Sequence, residues 1–326
     1  MKKNNILVTG GAGYIGSHVT YDLNDAGYNT IIYDDLSLGL LENIDERSKY
    51  YKGSTHNTKE LEEVFDNHKI DGVIHLAAWK AAGESMVNPE KYSHNNLMGT
   101  INLLNTCVKY GVEVFIFSST AAVYGYPLYL PIDENHPAKP INFYGFTKLQ
   151  VENILQWYSA LKKIRFASLR YFNAAGYDVQ GRVSGKEKNP ANLFPLVMEV
   201  AAGERDEIQI YGNDFNTIDG TGVRDYIHVN DLAIAHVKAL EYIGNNNEDL
   251  TVNLSTGKGL SVLEIIKAAE RICNRKIPYE IVGRRKGDPA ESVAISKFAN
   301  KLLGWVPKHS SLDELISTMW RIYNND

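Results

Sequence analysis

The chain has 326 residues, enough for two domains of ~150 residues, and its 44% apolar and 22% charged content is that of an ordinary globular protein. Lys and Arg number 34 against 39 Asp and Glu, so the net charge of −5 excludes a generally basic nucleic-acid binder while leaving room for a local cluster of cations. No apolar run approaches the ~18 residues of a membrane span, residues 1–5 lead into no secretory h-region, and Cys107 and Cys273 lack neighbouring His/Cys ligand spacing, so no membrane, disulfide scaffold or metal is expected and a reducing cytoplasm fits.

In chain order, residues 6–9 read as a buried strand, 15–26 as a helix, 30–33 as a strand and 59–68 as a helix. Residues 73–77 form the third predicted strand, 95–110 a long helical pattern, 114–118 a fourth strand, 144–161 a second long helix and 166–171 a further strand. Strands separated by helices predict βαβ crossovers and a parallel sheet covered on both faces, an α/β doubly wound fold of Rossmann type. The second half is less regular. Residues 178–192, rich in Gly, Lys and Asn, read as a loop, 193–202 as a helix after Pro190, and 207–211 as a strand. Residues 229–242 and 261–271 read as helices opened by Asn/Asp or Ser caps. There is no internal repeat. The domain boundary is placed near Gly176, with a smaller C-terminal α/β domain after it.

Between the first strand and first helix stands Thr9-Gly10-Gly11-Ala12-Gly13-Tyr14-Ile15-Gly16. Glycine permits positive φ in the tight turn and lets backbone N–H groups approach a pyrophosphate at a helix N-terminus. Asp34 ends the next strand ~20 residues further on, where a carboxylate accepts ribose hydroxyls. Asp34 and Asp35 would repel a 2′-phosphate, which favours NAD over NADP. The alternative is a ligand-free strand–helix turn.

The strand at 114–118 runs into Ser118-Ser119-Thr120, and Tyr144-Gly145-Phe146-Thr147-Lys148 opens the helix beyond it. Tyr144 and Lys148, at i and i+4, share one helical face. An ammonium near a phenol lowers its pKa from ~10 toward neutrality. Such a tyrosine can take a proton from a substrate hydroxyl whose carbon loses hydride to nicotinamide, with Thr120 bonding the same oxygen. Alone, the Tyr-x-x-x-Lys spacing is better explained by a surface helix pair. The glycine loop and strand-end hydroxyls favour catalysis.

At these motifs the chain resembles the extended short-chain dehydrogenase/reductase family, and within it the branch that epimerises UDP-hexoses at C4. The resemblance also runs through Lys80-Ala81-Ala82-Gly83-Glu84-Ser85, Leu169-Arg170-Tyr171-Phe172-Asn173 and Asp219-Gly220-Thr221-Gly222-Val223-Arg224-Asp225-Tyr226-Ile227-His228-Val229. It implies tightly bound NAD, reduced and reoxidised in each turnover, a transient 4-keto sugar, and interconversion of UDP-glucose and UDP-galactose, with UDP-GlcNAc and UDP-GalNAc as a further pair. Catalysis would fall to Tyr144, Lys148 and Thr120. NAD would be held by Gly10, Gly13, Tyr14, Ile15, Gly16, Asp34, Asp35, Leu36, Ser54, Thr55, Leu76, Ala77, Ala78, Lys80, Asn95, Ser118, Tyr171 and Phe172, with Tyr144 and Lys148. The UDP-sugar would meet Lys80, Thr120, Tyr144, Asn173, Asn192, Leu193, Gln209, Tyr211, Arg224, Arg285, Asp288 and Ser292.

Two guanidiniums suit a diphosphate through their forked donors. Plainer readings stand beside these assignments: a solvated turn at 284–286, a helix cap at Asn192 and core filling at Tyr211. Ser292 is small where a bulky side chain would exclude an N-acetyl group. By the same resemblance, residues 1–176 form the NAD domain, residues 225–256 return to it, and 177–326 hold the nucleotide sugar. The helices at 95–110 and 144–161 would pair with a second copy in a homodimer, or pack only within their own chain.

The chain departs from the family pattern after Gly53, where Ser54 replaces an acid that meets adenine, so NAD retention would be weaker. A 4,6-dehydratase would need an acid–base pair at positions held by Ala121 and Ala122. The segment 219–229 argues for a neutral sugar over a UDP-glucuronate. A non-catalytic NAD sensor would not need Tyr144, Lys148 and Thr120 together.

Overall fold

Short runs rich in Val, Ile and Phe make strands when helices can cover both their faces. In the computed structural model, which describes residues 4–285 and 287–324, six strands lead the chain, most of them of this kind. They are β1 (Asn5–Thr9), β2 (Asn29–Asp34), β3 (Lys49–Lys52), β4 (Gly72–His75), β5 (Val114–Ser118) and β6 (Arg165–Tyr171). Seven more strands follow: β7 (Asn173–Ala175), β8 (Ile208–Tyr211), β9 (Val223–His228), β10 (Leu250–Leu254), β11 (Gly259–Ser261), β12 (Tyr279–Val282) and β13 (Glu291–Ser292). Residues 1–3, read above as part of a non-secretory N-terminus, and Lys286, read as part of a turn, lie outside the described residues.

Among the described residues, seven strands form one sheet in the order β10-β6-β5-β4-β1-β2-β3, every neighbour parallel. β1 pairs with β2 on one side and β4 on the other, so the strand order reverses there and the crevice at the strands' carboxyl ends is the expected ligand position in a sheet of this kind. The helices between the strands are α1 (Tyr14–Asp25), α2 (Thr58–Asn67), the one-turn α3 (Ala82–Ser85) and α4 (Pro89–Tyr92), α5 (Thr100–Tyr110) and α6 (Phe143–Lys162). The helix expected at 95–110 begins as a π-helical stretch, Ser93–Gly99, and turns α-helical at Thr100. Such widened turns recur at functional sites because they rotate neighbouring side chains onto different faces.

The second half adds α7 (Leu193–Ala202), α8 (Val229–Asn246), α9 (Val262–Cys273), α10 (Lys297–Leu303) and α11 (Leu312–Tyr323). β9 is central to a small sheet, parallel to β7 and β13 and antiparallel to β11, while β8 and β12 pair separately. α7, α9 and α11 enclose a core of their own around Phe194, Ile265 and Ile316. After β9 the chain crosses back: Leu232, Ala235 and Leu240 of α8 share one apolar cluster with Val19 and Leu23 of α1 and Val252 of β10.

Local signals set several helix ends. Ser261 caps α9 reciprocally, its Oγ accepting from Glu264 N–H (3.0 Å) while Glu264 accepts from Ser261 N–H (2.7 Å). At α8 the expected Asn/Asp cap is instead His228, whose Nδ1 accepts from Asn230 N–H (3.1 Å). Asn230 and Asp231 work across the fold: Asn230 Nδ2 donates to Asp178 (3.1 Å), and Asp231 accepts N–H bonds from Lys308 (2.8 Å) and His309 (2.9 Å). No helix among the described residues is long and apolar enough to cross a membrane.

Candidate active site

The cleft opens at the carboxyl end of β1, where the glycine loop is pressed against its surroundings. Gly10 has φ +75°, and a Cβ there would lie 2.7 Å from Ala77 N; a Cβ on Gly16 would lie 2.0 Å from Gly10 O. Only glycine lets α1 start this close to the strand end. Gly13 is the N-cap of α1 and supplies no side-chain acceptor, so the first-turn N–H groups face the cleft uncapped by any side chain. That is a cradle for a diphosphate, and the residues fit a dinucleotide.

Around it the cleft is lined by Gly10, Gly13, Tyr14, Ile15, Gly16, Asp34, Asp35, Ser54, Thr55, Leu76, Ala77, Ala78, Lys80, Asn95, Ser118, Thr120, Tyr144, Lys148, Tyr171, Phe172, Asn173 and Asn192, all expected from sequence. Leu36, also expected there, does not line it; its φ is +63° and its carbonyl accepts from Lys188 Nζ (3.3 Å). Asp34 is anchored by the loop itself, Oδ2 accepting from Ala12 N–H (3.0 Å) and Oδ1 from Leu36 N–H (2.8 Å). Burial pushes its carboxyl up and these two donors pull it down. Each oxygen keeps a lone pair for a ribose hydroxyl.

Sequence reasoning missed Asn43, Trp79, Gly185 and Glu187, which also line the cleft. The loop after Gly176 crosses its mouth. Gly185 N–H donates to Asn43 Oδ1 (2.8 Å), Glu187 pairs with Lys80, and Lys188 Nζ donates to Gly39 O (2.9 Å). The Gly/Lys/Asn richness identified the loop but not where it lands. Neighbouring asparagines of the π-helical stretch divide their work. Buried Asn96 clamps Trp79 through its carbonyl and N–H (3.0 Å each), while Asn95 faces the cleft.

Tyr144 stands at the first turn of α6, its N–H donating to Ser85 Oγ (3.0 Å), and Asn142 caps that helix through Gly145 N–H (2.8 Å). Lys148 Nζ donates to Ser118 O (2.7 Å) and lies 6.0 Å from the centre of the Tyr144 ring. The expectation that Lys148 brings the phenol below its ordinary value is not met in the free protein. Burial pushes Tyr144 up to about 12, its hydrogen bond with Thr120 pulling the other way. Burial likewise pushes Lys148 down to about 7, opposed by Glu152. Desolvation is the largest influence on both because both groups are enclosed.

The expected sugar-nucleotide residues divide into two groups. Asn173 and Asn192 line the cleft; Asn173 Nδ2 donates to Asp225 O (2.9 Å), and Asn192 is the N-cap of α7 by position but makes no side-chain cap bond. Gln209, Tyr211, Arg224, Arg285 and Asp288 form a contiguous group outside that lining. Tyr211 donates to Gln209 (3.0 Å), and the Arg285 guanidinium lies 4.5 Å over the Tyr211 ring. Asp288 accepts from Arg285 (2.8 Å) and lies 3.8 Å from Arg224, so the two guanidiniums converge on this carboxylate. Ser292 pairs with Arg224 in backbone register. Leu193 packs against the second core, and Arg284 is paired to Asp214 (2.7 Å). No group of His, Cys, Asp or Glu able to hold a metal occurs among the described residues.

A parallel sheet with a dinucleotide cradle and a Tyr/Lys pair facing it defines a class of nucleotide-dependent epimerases and dehydratases. The chain belongs to the NAD dependent epimerase/dehydratase family, which matches residues 6–255. Within it, the chain is 41% identical over 320 residues to a UDP-glucose 4-epimerase of Lacticaseibacillus casei, covering 98% of this chain and 97% of that one. It superposes with a TM-score of 0.95 on the UDP-glucose 4-epimerase of Brucella ovis in complex with NAD, at 41% identity and 98% coverage of both chains. On the UDP-glucose 4-epimerase of Bifidobacterium longum in complex with NAD+ and UDP, the TM-score is 0.93 at 40% identity, with 99% of both chains covered.

Proposed function

We propose that this protein interconverts UDP-glucose and UDP-galactose by inversion at C4, through a transient 4-keto sugar, with NAD held throughout the turnover. The observation that carries this reading is the meeting of the glycine cradle, Asp34 and the Tyr144–Thr120–Lys148 group in one cleft. Bound NAD supplies a hydride acceptor and a positive charge at its nicotinamide ring. Tyr144 then takes the proton of the C4 hydroxyl and returns it, and Thr120 bonds the same oxygen. With a phenol at about 12, Tyr144 requires nearby positive charge to act as a base, which is the part given to the Lys148 ammonium. Arg224 and Arg285 bind the diphosphate, for which Asp288 sets their orientation. Purified protein given UDP-galactose forms UDP-glucose by NMR; no product from NAD-loaded protein would overturn the reading.

Ser292, small and registered beside Arg224, supports acceptance of the N-acetylated pair as well. Ser292→Tyr is expected to lower the hexosamine:hexose ratio of kcat/KM by about ten-fold or more; an unchanged ratio places the discrimination elsewhere. We further propose a homodimer through the 93–110 and 143–162 helices, where Trp157 and Leu161, one turn apart, and Met98 stand exposed. Light scattering at micromolar concentration is expected to give twice the chain mass, and a monomer would refute the dimer. The two free, buried cysteines are in keeping with a reducing cytoplasm.

A further inference from the structure

Behind the tyrosine, α6 continues for another turn into a contact that the chemistry above does not use. Residues 144, 148 and 152 share one face of α6, and each addresses one residue of the segment ending β5. Tyr144 faces Thr120, Lys148 donates to Ser118 O, and Ser119 Oγ donates to Glu152 Oε1. Glu152 is only 3% exposed. Its carboxylate takes Nε (2.9 Å) and Nη2 of Arg170 in β6, a bidentate pair. Arg170 Nη1 goes on to Tyr124 Oη (3.1 Å), which donates to Asn253 of β10 (2.6 Å). A buried ion pair of this kind is seldom more stable than an apolar replacement of equal volume, so stability alone does not account for it.

We propose that Glu152, fixed by Arg170, is a positioning residue for the Tyr144–Lys148 pair: its carboxylate, one turn beyond Lys148 on the same face of α6, favours the ammonium form of that lysine and holds Ser119 so that the Ser118 carbonyl and Thr120 hydroxyl stay in place. This rests on the roles proposed above for Tyr144 and Lys148. The groups around Lys148 bear it out. On α6 it shares a face with Tyr144 and Glu152; on β4 it acts on His75, pushed down to about 3 by burial and by Lys148; on β5 its Nζ lies 4.8 Å from the centre of the Phe117 ring; on β6, Tyr171, held protonated by burial, is hydrogen-bonded to Ser118, and Arg170 is paired with Glu152. Of these only Glu152 is an anion, and its charge opposes the desolvation that drives Lys148 toward neutrality.

The test titrates Lys148 in the free protein by NMR with 13Cε-labelled lysine, its signal assigned by its loss in Lys148→Met. Glu152→Gln removes the charge but leaves Arg170 unpaired, so the double variant Glu152→Met/Arg170→Met, which removes the pair as a neutral unit, is the principal comparison. In the folded double variant the Lys148 midpoint is expected to fall by about one pH unit or more, and the alkaline limb of kcat to move down with it. KM for UDP-galactose is expected to stay within about two-fold. Glu152→Asp, which keeps the charge, restores both midpoints. A Lys148 midpoint unchanged in the double variant or in Glu152→Gln overturns the proposal, as does a lower kcat with an unshifted limb. If the parent protein shows no epimerase activity, the functional reading falls while the lysine titration still decides the charge relation.

Discussion

Tyr144→Phe is expected to lower kcat by about 10²–10⁴-fold, the range of a positioned general base, with KM held within about two-fold. The substitution removes one oxygen. It leaves the Tyr144 backbone bond to Ser85 Oγ and the Asn142 cap of α6 intact, so the helix start and the cleft wall keep their shape. The phenol oxygen faces Thr120, whose hydroxyl is too weak a base to replace it, while Lys148 Nζ is held on the Ser118 carbonyl. Steady-state rates on UDP-galactose at several pH values decide the matter. Parent-like kcat in Tyr144→Phe would remove this residue from the mechanism.

Gly16→Ala is expected to weaken NAD binding by about 100-fold or more, since the diphosphate cradle depends on backbone approach. An added Cβ meets Gly10 O at 2.0 Å, Gly10 C at 2.8 Å and Gly11 Cα at 2.9 Å, all backbone atoms without a rotamer to yield. The loop and α1 must move apart, carrying the uncapped N–H groups out of line with the anion. Gly244→Ala on α8 is the control, because a Cβ there meets nothing within 4 Å and alanine favours a helix. Calorimetric titration of NAD into cofactor-stripped protein reads both. Parent-like affinity in Gly16→Ala would mean that the cradle tolerates a side chain, and that the diphosphate sits elsewhere.

Much of the fold is visible locally. Residues 6–8 and 114–117 are unbroken apolar runs and lie in interior strands; Leu193–Ala202, between Pro190 and Gly203, is a helix with the expected bounds. Strands β3, β7 and β9 to β13 escaped the sequence reading. β3 is short and tyrosine-rich with exposed lysines at both ends, while β10 alternates polar with apolar residues at the sheet edge. Their pairing depends on partners more than 15 residues away in sequence, which local periodicity does not register.

The site divides in the same way. Sequence by itself determined the chemistry available: a glycine loop suited to an anion-binding strand–helix turn, an acid ending β2, and a tyrosine and lysine one helical turn apart. Those features depend on spacings of a few residues, which backbone geometry converts directly into shared faces and tight turns. Tertiary structure alone decided which groups meet and in what state of charge. It brings Glu187 to Lys80, Lys188 to Gly39, Asp288 between Arg224 and Arg285, and Arg170 to Glu152. It also reverses the expected direction for the Tyr144 phenol, which rises to about 12. The physical reason is burial: desolvation depends on how the whole chain encloses a group, and no short stretch of sequence specifies that.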